Sequence, residues 1–158
     1  MEDIGHWLHT DGQPAPEVIA RLVALWAKRF AVGRPEELAV FSWWFSSGCF
    51  EETWSIDNFL TALQTLDTRA AGFPPKFAPK VGERLADLAP PYLLKVVTCL
   101  ELLVKANEGG WAILSLRVPA RTILTTALTS DDNEVRNVAV ATIGRLARKG
   151  YVEFRDLL

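Results

Sequence analysis

The chain has 158 residues, 49% hydrophobic and 23% charged, enough to bury roughly two-thirds of its unfolded surface and too apolar for global disorder. Lys and Arg number 17 against 19 Asp and Glu, a net charge of −2 with an isoelectric point near 5.7, which counts against a general nucleic-acid binder. No apolar run approaches the roughly 18 residues of a membrane span, the first residues lack the basic and apolar regions of a signal peptide, and Cys49 and Cys99 read as bland core thiols, so a cytoplasmic protein without cofactor or metal is expected.

Residues 1–15 read as a polar lead-in. Pro16 sits where a first helical residue would, and Val18, Ile19, Leu22, Leu25, Trp26 and Phe30 follow at steps of three and four, the stripe of an amphipathic helix ended by Gly33. A second helix opens at Pro35-Glu36-Glu37, carries Leu38, Phe41, Trp44 and Phe45, and closes at Gly48. A third runs from about Thr53 to Ala71, with Trp54, Phe59, Leu63 and Leu66 as its stripe. Residues 72–80, rich in proline, read as a connector, because each proline removes an amide donor.

A fourth helix carries Val81, Leu85 and Leu88; Pro90-Pro91 breaks it and starts a fifth with Val96, Val97, Leu100, Leu103 and Val104. Trp111–Val118 is apolar and ambiguous. A sixth helix begins near Pro119 with Ile123, Ala127 and Leu128, and Asp131 with Glu134 reads as a capping box for a seventh that Gly150 ends. Tyr151–Leu158 reads as a packing tail.

The stretch Asp131–Leu146 is the most informative. An acidic start, Val-Arg, a small residue and aliphatic residues at helical spacing resemble the inner helix of a HEAT-type repeat. A shift of 43 positions places Val81 on Leu124, Leu85 on Leu128, Val96 on Ala139, Leu100 on Ile143 and Leu103 on Leu146. The expectation is an all-α single domain over 1–158, a right-handed α-α superhelix of the HEAT/armadillo-like solenoid type. About seven helices in antiparallel pairs would build it, two of the hairpins lying in 81–158.

Phe41-Ser42-Trp43-Trp44-Phe45-Ser46-Ser47-Gly48-Cys49-Phe50 and Gly150–Leu158 resemble the C-terminal helical-repeat regions of large bacterial multidomain proteins. Those proteins often carry a signal-transduction NTPase or another effector domain upstream, and several are thought to act in defence against phage. The resemblance spans residues 36–158. It implies a detached repeat module, because no Gly-x-x-x-x-Gly-Lys-Ser/Thr phosphate loop is present.

Few residues invite chemistry. His6 and His9, three apart, suit a metal, but only Asp3 and Asp11 adjoin them and a solvated turn reads better. Ser46 and Ser47 lack a Gly-x-Ser-x-Gly elbow and have no histidine nearby in sequence. The carboxylate pairs Glu36/Glu37, Glu51/Glu52 and Asp131/Asp132 stand at helix starts, where negative charge opposes the helix dipole. Arg117 and Arg121, near Trp111, would lie one turn apart, with Arg136, Arg145, Arg148 and Lys149 following; they read as a solvated face or as a patch for phosphates or an acidic partner. Arg136 reads as structural, paired with an Asp of a neighbouring repeat. Trp43, Trp44 and Phe45 subtend about 200° of a helix. Either that helix is covered on both sides or one tryptophan marks a contact surface.

The candidate binding residues are therefore Trp43, Trp111, Arg117 and Arg121, and no catalytic residue is assigned. The leading expectation is a non-catalytic module with a protein partner. The alternative is a HEAT-like DNA-binding enzyme of the DNA glycosylase type, which the charge disfavours. A small helical subunit that works only in an oligomer is a third reading.

Overall fold

In a computed structural model, which describes residues 1–9, 13–69, 75, 80–107 and 111–158, the protein is all-α, with no strand among those residues. The expected connector 72–80 lies largely outside the described residues. The chain divides into two compact units, Met1–Val81 and Gly82–Leu158.

The N-terminal unit holds α1 (Glu2–Trp7), α2 (Pro16–Val32), α3 (Pro35–Ala39), α4 (Phe41–Ser46) and α5 (Glu52–Arg69). α2 matches its sequence reading at both ends: Pro16 opens it and Gly33, at φ +64°, accepts the left-handed conformation that ends it. α1 forms where only a lead-in was read. It packs on α4, and Trp44 Nε1 donates to the Met1 carbonyl at 3.0 Å. The contact needs a glycine: a Cβ on Gly5 would lie 2.6 Å from Trp43 Cβ.

The helix expected from Pro35 to Gly48 is two helices. Leu38, Ala39, Val40, Phe41 and Ser42 are all buried, and no single stripe can bury five consecutive residues. Val40 (φ −88°, ψ −2°) turns the chain and re-aims the second half of the run. The core is aromatic. Trp26 stacks near Phe41 at 4.0 Å between ring centres, Phe45 lies on Phe59 at 4.2 Å, and Trp44 runs parallel to Phe50 at 5.7 Å. The Trp26 indole N–H is satisfied by Asn58 Oδ1 at 2.9 Å. Glu51 caps α5, its carboxylate accepting from the Trp54 and Thr53 amides at 2.7 and 2.9 Å.

The C-terminal unit holds α6 (Val81–Ala106), whose first residue falls on the boundary, α7 (Arg117–Leu128), α8 (Asn133–Arg148) and two 3-10 turns, Trp111–Leu116 and Val152–Leu157. α6 carries the two helical segments read around Pro90-Pro91. They meet at Tyr92, whose backbone (φ −128°, ψ 34°) leaves the helical region. α7 starts two residues ahead of Pro119. The cap of α8 is Asp132, not Asp131: its Oδ1 accepts from the Glu134 amide at 2.8 Å while Asp131 stays exposed. Here the core is aliphatic. Of the ten residues that coincide under the 43-position shift, all but Leu128 are buried.

Candidate functional site

The four sequence candidates fall in both units. Trp43 belongs to the N-terminal one, where α4 carries it half-buried while Trp44 and Phe45 enter the core. The His6 ring stacks on its indole at 3.9 Å and His9 meets it edge-on at 5.9 Å. The helix is thus covered on both sides, and the α1 segment supplies the cover. The two histidines serve an aromatic contact, and among the described residues no group of three or more His, Cys, Asp or Glu is placed to hold a metal.

The fold also joins residues that sequence spacing kept apart. Ser46 Oγ lies 3.2 Å from His9 Nε2 across 37 positions. The same nitrogen sits 3.1 Å from the Trp43 carbonyl oxygen, which only accepts. With its proton on Nε2 the ring donates to that carbonyl, and with the proton on Nδ1 it accepts from the Ser46 hydroxyl. Ser46 itself donates to the Trp43 carbonyl at 3.4 Å and is buried. The arrangement ties the start of the chain to carbonyl and hydroxyl groups at the end of α4. Cys49 and Cys99 are free thiols, and burial pushes the Cys99 thiol well above its ordinary range.

Arg117 and Arg121 occupy the C-terminal unit, one turn apart on α7. Neither is free. Arg117 Nη2 meets Glu153 Oε1 at 2.7 Å, and Arg121 Nη2 meets Asp156 Oδ2 at 2.7 Å while its Nη1 donates to the Glu153 carbonyl at 3.3 Å. The hydrogen bond from Arg121 holds the Asp156 carboxyl below its usual range, and Asp156 in turn raises the Arg121 guanidinium. These pairs fasten the last 3-10 turn to α7, and Phe154 is buried beneath it. The Trp111 backbone opens the other 3-10 turn; its side chain lies outside the described residues.

The remaining cations of the expected patch are mostly engaged as well. Arg136 donates to the Ser130 carbonyl and to Asn133 Oδ1, within its own hairpin and not to an Asp of a neighbouring repeat. Arg145 pairs with Glu101 at 3.4 Å, and Lys149 donates to the Asn107 carbonyl at 2.6 Å.

Between α7 and the last turn lies an open groove of about 740 Å³, lined by Leu114, Val118, Thr122 and Phe154 among others, with Arg117, Arg121 and Glu153 at its walls. Val118 is 79% exposed and Leu114 49%, the two large apolar side chains that this groove presents to solvent. Sequence reading found the arginines but not their partners, because Glu153 and Asp156 lie about 35 positions away in what read as a packing tail.

Fold and site together define an all-α protein with a mixed-charge groove on its C-terminal unit, and no described helix is long and apolar enough to cross a membrane. No protein-family model, curated protein or solved structure matches the chain.

Proposed function

We propose that this chain is a non-catalytic protein-interaction module, a right-handed HEAT-like array of antiparallel helix pairs. Its biological setting would be the partner-binding part of a cytoplasmic bacterial defence or signalling protein. The observation that carries the reading is the groove beside α7, where Val118 and Leu114 face solvent between charged walls. Isolated exposed aliphatics are ordinary, but two of them one turn apart along a concave surface suit a protein contact.

Three further observations support it. The burial of nearly every residue paired by the 43-position shift favours a repeated hairpin. The cations that a DNA-binding enzyme would turn toward phosphates are largely spent on carboxylates and carbonyls of the same unit. Two free thiols fit a reducing compartment. The bacterial multidomain setting rests on the resemblance of residues 41–50 and 150–158.

Replacing Val118 with a photo-crosslinking amino acid in the host cell tests the proposal. Covalent protein adducts are expected at Val118 and not at Val32 of the N-terminal unit, which is 60% exposed. Absence of any protein adduct at Val118, or sub-micromolar duplex-DNA binding in about 0.15 M salt, would overturn it.

A further inference from the structure

The turn Val152–Leu157 is held to its unit by unequal means. The Phe154 ring is fully buried. Around it the turn lies open: Val152 is 57% exposed, and the Glu153 and Asp156 side chains are 37% and 61% exposed. From α7, Arg117 and Arg121 reach these two carboxylates, and Arg121 also donates to the Glu153 carbonyl. Exposed ion pairs contribute little to stability, and the hydrogen bonds of a 3-10 turn are poorer than those of an α-helix. Burial of one ring therefore carries most of the attachment.

α8 does not need the turn to end. Gly150, at φ +96°, takes the chain out of the helix, and the Tyr151 amide bonds back to the Leu146 carbonyl at 3.0 Å. The helix is closed off before Val152, so the turn can leave without unravelling it. Glu153 and Phe154 also line the groove beside α7. Lifting the turn would extend that groove into the socket of the Phe154 ring and release Arg117 and Arg121 from their carboxylates. The opened face would then offer two arginines and an apolar socket next to Leu114 and Val118. The chain itself shows which segment fits such a face: a carboxylate, an aromatic ring and, two positions on, a second carboxylate, here Glu153, Phe154 and Asp156.

We propose that the last 3-10 turn is an autoinhibitory strap. It is the chain's own ligand for the α7 face, and a partner segment with the same carboxylate–aromatic–carboxylate pattern takes its place. This rests on the interaction reading above and adds the regulation of the same site. Two states follow, a closed one with the turn seated and an open one that the partner segment selects.

A synthetic nonapeptide with the sequence of residues 150–158, titrated into the full chain up to about 1 mM, where weak binding registers, tests this. On the wild type, excess peptide should move the amide resonances of residues 152–158 toward unfolded-chain values and shift those of 117–126. That readout needs no variant to fold. Glu153→Lys combined with Asp156→Lys in the chain should raise its affinity for the peptide roughly tenfold, because two exposed pairs are lost from the closed state. Adding Arg121→Glu should weaken that binding again, and a peptide carrying Phe154→Ala should not bind. Resonances of 152–158 that stay unmoved on the wild type, equal affinity of the two chains, or binding that survives loss of the ring would each overturn the proposal. Displacement of the turn without protein adducts at Val118 would keep the strap and end the interaction reading. Adducts at Val118 without displacement would end the strap alone.

Discussion

The two units bury different chemistry. The N-terminal unit is built on rings: Trp26, Phe41, Trp44, Phe45, Phe50 and Phe59 touch one another in a continuous cluster. The C-terminal unit buries Leu, Ile, Val and Ala, with Phe154 its one large, fully buried aromatic among the described residues. The aromatic unit turns at Val40, between helices of five and six residues, where five consecutive residues are buried, although its α2 and α5 run for 17 and 18 residues. In the aliphatic unit the side chains fill a stripe at helical spacing along α7 and α8, of 12 and 16 residues, and the break falls at Tyr92 after the double proline.

Deleting a ring is expected to have the largest effect. Phe41→Ala or Trp44→Ala should destabilise by roughly 3–5 kcal/mol, since each removes a fully buried aromatic and several ring contacts. Hydrogen exchange should show α4 and α5 amides losing protection together. Exchange unchanged in α5 would mean that the cluster does not act as one body.

Leu100→Ala and Ile143→Ala probe the aliphatic side. Both side chains are fully buried and coincide under the 43-position shift, and each truncation should cost roughly 2–5 kcal/mol. Denaturant midpoints that convert to losses within about 0.5 kcal/mol of wild type would show that neither position carries the packing assigned to it.

Capping comes next in size. Asp132→Ala should cost about 1 kcal/mol through loss of the bond to the Glu134 amide. Asp131→Ala, at an exposed residue outside that bond, should stay within about 0.5 kcal/mol. Equal effects in thermal melts would return the cap to Asp131.

Acid has the mildest expected effect, and it touches both units. Backbone amides at Trp54 and Thr53 depress the Glu51 carboxyl, and Arg121 depresses that of Asp156. A folded-state value below the unfolded one means stability present above the unfolded pKa and lost as pH falls through the folded value. The start of α5 and the last 3-10 turn should therefore loosen below about pH 4, the ordinary carboxylate range. Amide shifts of residues 52–55 and 152–157 would report it. Asp156→Asn should abolish the response at 152–157 and leave that at 52–55.

How much was legible in the sequence differs between the units. In the C-terminal unit, stripe spacing, the double proline and the acidic start of α8 predicted the helical segments to within a residue or two. These signals are local: periodicity, backbone donors and capping act over one or two turns. In the N-terminal unit, α2 was read correctly, but α1 was missed. Its six residues carry no stripe of their own, and it packs on α4 through Gly5 and the Trp44 indole.

Side-chain roles were decided by tertiary structure alone. Trp43 is flanked by His6 and His9, some 35 positions upstream, so its exposure depended on where the chain's start returned. Arg117 and Arg121 read as a free basic pair until folding set Glu153 and Asp156 opposite them. A residue's type and spacing state what it can bond and which helix face it shares. What stands across from it depends on how distant segments fold back, and that pairing turned a basic patch into a groove with charges of both signs.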